Sequence, residues 1–185
     1  MSECNIETEL NEPEHQAVLP AELIIRAEKT AEQTVENLKA CSIKLALAES
    51  CTAGLVSSFL AEVPGASDVL WGSFVCYTKE AKVFMLGLNE SEIEKYGLVS
   101  EETACKMAEN ALEKSGAEIA ASVTGLAGPG GDGSKTPVGT VWIAAAVRQK
   151  TERKKYHFSG GRNEVRLRAA IAVLEMINNI IAQKV

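Results

Sequence analysis

Residues 45–55 read L-A-L-A-E-S-C-T-A-G-L, and the change of character within them decides the fold. The opening four residues are an apolar run of the kind that forms a strand buried on both faces. A small, polar segment from Glu49 to Gly54 follows, and apolar residues at helical spacing then take over. The predicted order is strand, tight turn, helix, with the helix over residues 52–61. Such a junction sets a hydroxyl at a strand's C-terminal end, where open α/β sheets hold their ligands. It also aims the free N–H groups of a helix start at an anion or a developing oxyanion. Ser50 is therefore the candidate nucleophile. The competing reading is that Ser50 or Thr52 simply caps the helix.

Working outward, residues 1–19 are polar and acidic, contain Pro13 and lack periodicity, so a flexible tail is expected there, with the domain over residues 20–185. Pro20 suits the first turn of a helix. Leu23, Ile24, Ala27, Ala31, Val35 and Leu38 continue it at helical spacing to about Ala40. Strands are expected over residues 44–49, 69–77, 119–124, 139–147 and 153–158. Helices are expected from Thr78 through residues 82–86, over 91–95, from Ser100 to about 115, and over 163–182. Alternating helices and strands closed by a hairpin predict a three-layer α/β/α sandwich with a mixed, mostly parallel sheet.

Composition bounds the partners. The chain has 185 residues, 46% hydrophobic and 24% charged, with a formal net charge of −6. That balance argues against a nucleic-acid binder, which usually carries a basic face. The one basic stretch, residues 148–155, is interrupted by Glu152 and reads as a solvated turn between strands. No apolar run approaches a membrane span, and the acidic N-terminus lacks the layout of a signal peptide. The five cysteines, Cys4, Cys41, Cys51, Cys76 and Cys105, are scattered and form no C-x-x-C pair. Neither a disulfide framework nor a zinc site is indicated, and a cytoplasmic location is expected.

Three loops follow apolar strands and can share one edge of the sheet: the Ser50 turn, residues 77–82, and the glycine-rich stretch 125–137. A serine hydroxyl needs a base. Of the two histidines, His15 lies in the tail and His157 in a strand where a structural role is the better reading. Lys82 is the alternative base, one turn into a helix that begins right after a strand. Partial burial and the positive end of the helix dipole both favour the neutral amine. Lys79 would add like-charge repulsion if it points the same way. Each lysine can also be an ordinary solvated side chain. The glycine loop suits close backbone approach to an anion, or is a connector. Arg162 and Arg166 share one helix face and suit a phosphate or carboxylate, or are solvated charges. Cys51 is a minor candidate nucleophile, because a helix start lowers thiol pKa.

These residues carry a resemblance. A-E-S-C-T-A-G at 48–54, F-V-C-Y-T-K-E-A-K at 74–82, T-G-L-A-G-P-G-G at 124–131 and P-V-G-T-V-W at 137–142 resemble, in order, the signature blocks of the CinA C-terminal domain family. F-S-G-G-R at 158–162 fits as well, and the likeness runs from about residue 38 to the C-terminus. It implies a compact α/β/α fold and nicotinamide-nucleotide amidase activity, in which the carboxamide of nicotinamide mononucleotide is hydrolysed to nicotinate mononucleotide and ammonia. It further implies a serine–lysine mechanism needing no metal or other cofactor, with Ser50 as nucleophile, Lys82 as base and Tyr77 as a supporting hydroxyl. Thr52, Gly54, Thr124, Gly125, Gly128, Arg162 and Arg166 fall around the small-molecule nucleotide substrate. A homo-oligomer is also implied. The alternative is a non-catalytic nucleotide-binding or regulatory module. Full-length family members carry a larger domain ahead of this one, which the acidic tail does not resemble. The sequence departs from the family pattern twice. Ala53 replaces the first glycine of a pair, a mild change on a helical backbone. Lys79 replaces an asparagine, and is expected to set a cation beside the base and shift pH optimum or substrate preference.

Overall fold

The computed structural model describes residues 19–183. The tail expected over residues 1–19 lies outside them except for Leu19, which packs against the core. In chain order the elements are helix α1 (Ala21–Ala40), strand β1 (Leu45–Glu49), helix α2 (Leu55–Ala61), strand β2 (Leu70–Val75) and the short helix α3 (Lys79–Ala81). A π-helical turn, Lys82–Leu86, continues α3. Helices α4 (Glu90–Tyr96) and α5 (Glu101–Ser115), strands β3 (Ile119–Gly125), β4 (Thr140–Val147) and β5 (Lys150–His157), and helix α6 (Arg162–Ala182) complete it.

The strands form one mixed sheet in the order β2-β1-β3-β4-β5. β1 pairs in parallel with β2 and β3, while β4 is antiparallel to both β3 and β5. Four strands therefore share a direction and β4 alone opposes them, which is the mixed, mostly parallel sheet expected. The ends of β1, β2 and β3, the start of β4 and the end of β5 meet at one rim.

Side-chain size sorts the two faces. Along β1, Leu45 and Leu47 join the large residues of α1, α2 and α6 in the main core. Ala46 and Ala48 face the other way, toward Met107 and Ala111 of α5. Farther along, Ala104 and Ala108 of α5 meet Ala144 and Ala146 of β4. Small residues on both sides let α5 lie close to the sheet, and Ser122 Oγ donates to Ala104 O at 2.6 Å across that contact. Among the described residues no helix is long and apolar enough to cross a membrane.

The main difference from the sequence-based expectation lies in the turn after β1. Helix α2 begins at Leu55, three residues later than predicted, and Gly54 is its N-cap. The reason is backbone handedness. Ala53 has φ +52° and Gly54 φ +91°, so neither can lie inside a right-handed helix. The condition under which an alanine at 53 would be harmless, a helical backbone, is not met. Strand β5 also starts earlier than expected, at Lys150, because its exposed face tolerates the charges that resembled a turn.

An alanine in the left-handed region costs free energy that glycine avoids. Ala53→Gly is expected to stabilise the fold by about 1 kcal/mol, read as a higher urea midpoint at unchanged slope. A helical Ala53 would instead give the loss usual for Ala→Gly.

Candidate active site

Ser50 is the first residue past β1. Its N–H donates to Val123 O at 3.0 Å, which extends the β1–β3 ladder by one bond, and its Oγ projects over the rim. There it meets Lys82. The Lys82 ammonium donates to Ser50 Oγ at 2.8 Å, to Cys76 O at 2.9 Å and to Tyr77 O at 3.5 Å. Thr78 sets up this approach. It caps α3 by accepting from Ala81 N at 3.1 Å, and one turn later the chain widens into the π-helical turn that opens with Lys82. Such turns recur at functional sites.

Lys82 is only 1% exposed. Burial pulls its pKa below the ordinary lysine value, with the neighbouring Cys76 and Cys51 acting in the opposite direction. Desolvation penalises the charged form and shifts the balance toward the free amine. Lys79 contributes nothing to this. Its amine pairs with Glu90 at 2.7 Å and Glu94 at 3.2 Å on α4, and those carboxylates raise its own pKa. The expected cation beside the base is therefore absent, because α4 offers Lys79 two partners away from the cleft.

Cys51 lines the cleft beside Ser50, but its surroundings do not favour a thiolate. It is buried, and burial pushes its thiol up to about 12, opposite to the shift a thiolate requires. The helix start that was to lower it lies four residues away. His157 is exposed at the end of β5 and does not line the cleft.

The cleft measures about 140 Å³ and is lined by Ser50, Lys82, Tyr77, Thr124 and the glycine loop, with Arg162 at its mouth. A larger open groove of about 960 Å³ lies elsewhere, against α5 and the β4–β5 turn, but it holds no buried hydroxyl–amine pair. Thr124 is buried and its hydroxyl donates to Leu98 O at 2.8 Å. Gly125 and Gly128 are required by packing. A Cβ at Gly125 would stand 2.7 Å from Val141 Cγ2 and 2.8 Å from Thr140 O. One at Gly128, where φ is +85°, would stand 2.7 Å from Val138 Cγ1. Arg162 donates to Gly128 O at 2.7 Å and to Tyr77 Oη at 2.6 Å. It thus ties the loop to the end of β2 across the mouth, and the Tyr77 hydroxyl belongs to this pairing.

Three expected substrate contacts lie elsewhere. Arg166 does not join Arg162 in the cleft: it donates to Thr52 O at 2.9 Å and to Asn163 Oδ1 at 3.4 Å. One turn further along α6, it lies against the β1–α2 turn instead. Thr52 is fully buried and its hydroxyl points inward to Glu49 Oε2 at 2.8 Å. Gly54 serves as the N-cap of α2, beside Val75.

Glu49 was not among the predicted residues. Its carboxylate is 1% exposed and accepts four hydrogen bonds. Oε2 takes Thr52 Oγ1 and, at 3.1 Å, Val56 N. Oε1 takes Ser57 N at 3.0 Å and Ser73 Oγ at 3.1 Å. A carboxylate thus satisfies the first free N–H groups of α2, the work assigned in advance to Ser50 or Thr52. The signal was present in the sequence as one charge at the end of an apolar strand, which burial permits only with a full set of partners.

Comparison with known proteins agrees with this architecture. Residues 27–181 match the CinA C-terminal domain. A CinA-like protein of Thermotoga neapolitana is 41% identical over 157 residues, 85% of this chain and 38% of that protein. One from Dictyoglomus thermophilum is 42% identical over 146 residues, 79% of this chain and 36% of the other. The chain thus spans under two-fifths of the length of these curated relatives. Among solved structures, a competence/damage inducible protein from Agrobacterium tumefaciens superposes with TM-score 0.81 at 35% identity, covering 89% of this chain and 98% of that one. A competence-damaged protein (CinA) superfamily member from Escherichia coli gives TM-score 0.81 at 29% identity, covering 89% and 94%. This chain belongs to the CinA C-terminal domain family.

Proposed function

We propose that the chain hydrolyses the carboxamide of nicotinamide mononucleotide, releasing ammonia and leaving nicotinate mononucleotide, by a serine–lysine mechanism. The observation that carries the proposal is the 2.8 Å contact between a buried lysine amine and a serine hydroxyl at the floor of a cleft. In its neutral form the Lys82 amine accepts the Ser50 proton, and Oγ attacks the carboxamide carbon. Among the described residues, the Cys51 N–H donates to no other residue, and Cys51 lines the cleft, so it offers the developing oxyanion a partner. The Ser50 N–H is not free for that role, because it donates to Val123 O at 3.0 Å.

The Lys82 ammonium then returns its proton to the leaving nitrogen as the C–N bond breaks. Water, deprotonated by the same amine, attacks the acyl carbon and frees Ser50. Arg162 keeps guanidinium surface exposed at the mouth, where a 5′-phosphate gives binding energy far from the reacting carbon. Tyr77 orients Arg162 through its hydroxyl. Ala53 and Lys79, whose departures from the family pattern favoured a non-catalytic module, both lie off the cleft, so the catalytic reading has the stronger support.

Ser50→Ala and Lys82→Ala should each reduce ammonia release from nicotinamide mononucleotide by at least about 1,000-fold. Turnover surviving in either variant would remove that residue from the chemistry.

The depressed Lys82 pKa also has a stability consequence. Between the folded and the ordinary lysine pKa the unfolded chain binds the extra proton, so stability rises with pH through that window. Below it the folded state bears the full cost of a buried ammonium. Lys82→Met should therefore be more stable relative to wild type at pH 7 than at pH 10, in urea titrations. A difference independent of pH would contradict the depressed pKa.

A further inference from the structure

Thr52 is held from two sides. Its hydroxyl donates to the buried Glu49 carboxylate at 2.8 Å, and its carbonyl accepts from Arg166 at 2.9 Å. The residue itself has no exposed surface. We infer that Glu49 and Arg166 form a positioning clamp on Thr52 that fixes the turn presenting the Cys51 N–H to the cleft as oxyanion donor, and that Arg166 therefore acts on catalysis rather than on substrate phosphate. The inference rests on the serine–lysine reading of the cleft.

The turn needs such a clamp. Residues 51–54 lie between the end of β1 and the start of α2, outside any helix or strand, and Ala53 and Gly54 both have positive φ. The turn closes on itself through Ala53 N–H donating to Ser50 O at 3.0 Å, and Thr52 O also accepts from Leu55 N at 3.3 Å. What ties that turn to the rest of the fold is side chains anchored in regular elements. Glu49 belongs to β1 and is itself held by Val56 N, Ser57 N and Ser73 Oγ. Arg166 belongs to α6, five residues after its N-cap. Each Glu49 oxygen faces one backbone N–H, from Val56 or Ser57. A glutamine would have to set its NH₂ against one of them, donor to donor, so the carboxylate is not replaceable by its amide. Arg166 reaches Thr52 over 114 residues of sequence, and its guanidinium holds a carbonyl whose peptide group shares the rigid turn. A carbonyl fixed in this way fixes the plane of the Thr52–Ala53 peptide, whose N–H closes the turn around Cys51 by donating to Ser50 O at 3.0 Å, and the hydroxyl bond on the same residue fixes its side chain. Neither Glu49 nor Arg166 lines the cleft, so neither touches the reacting atoms.

Steady-state kinetics on nicotinamide mononucleotide and the rate of Ser50 labelling by a fluorophosphonate test this together. In labelling, Ser50 Oγ forms a bond to phosphorus, fluoride leaves and Lys82 takes the proton; the phosphoryl oxygen uses the same N–H donor, with no nucleotide present. Arg166→Ala and Thr52→Val should lower kcat between about 10-fold and 100-fold with KM within about 2-fold, and slow labelling in proportion. Glu49→Gln should do the same, and Arg166→Lys should recover part of the lost kcat. Circular dichroism melts identify any variant that fails to fold, and Arg166→Ala, at a half-buried position of α6, is the one expected to fold normally. A raised KM at unchanged kcat in Arg166→Ala would overturn the clamp and return Arg166 to the phosphate. Unchanged kcat and labelling would overturn it outright. Should wild type label normally yet release no ammonia, the amidase reading fails while slowed labelling in the variants still supports the clamp. A wild type that neither turns over nor labels removes both.

Discussion

A lysine amine lies 2.8 Å from a serine oxygen, shut off from water at the C-terminal rim of a sheet, and the rest of the architecture serves that contact. The charged form of such a lysine is expensive in the interior. Here the amine meets two carbonyls and a hydroxyl, and among the described residues no carboxylate pairs with it. The surroundings can hydrogen-bond the amine without neutralising its charge. That is the combination which lowers a lysine pKa while keeping its nitrogen in place.

Two separate supports hold the partners. On one side the central strand β1 is buried along its whole length and delivers Ser50 with a ladder bond to Val123. Glu49 then fastens that strand end to the first turn of α2. On the other side Thr78 caps α3, and the π-helical turn begins at Lys82. Its Leu86 is buried against α5 while Phe84 points outward. The two halves join through the parallel pairing of β1 with β2, continued by Cys76 N–H donating to Glu49 O at 2.9 Å, so sheet register helps set the distance between Ser50 and Lys82. Above them Arg162 links Tyr77 to Gly128, bringing together three parts of the chain distant in sequence.

Much of this was legible in the sequence. Leu-Ala alternation in β1 and the alanine-rich runs of β3 and β4 betray a sheet with one bulky and one small face. Ser50, Tyr77, Lys82 and the glycine loop do share one cleft, as the three loops following apolar strands suggested, and Arg162, from the start of α6, joins them at its mouth. Less legible was whatever depended on where a side chain points. Thr52 looked like a cap or a ligand contact and is neither, because a left-handed Ala53–Gly54 step postpones the helix and lets Glu49 do the capping. Arg166 shares a helix face with Arg162, yet only one of them reaches the mouth. Lys79 resembled a neighbour of the base until α4 gave it two carboxylates. Local pattern announces a residue's element and leaves its partners to the tertiary contacts.

The charge state of Lys82 is the most exposed point of the account. Titrating the side-chain ¹⁵Nζ and ¹³Cε resonances of labelled lysines by NMR measures it directly. One lysine, absent from the spectrum of Lys82→Met, should lose its proton well below the ordinary value of about 10.4, and the others should not. A Lys82 that titrates with the surface lysines would mean the amine stays charged at working pH, and a serine–lysine mechanism could not stand on it.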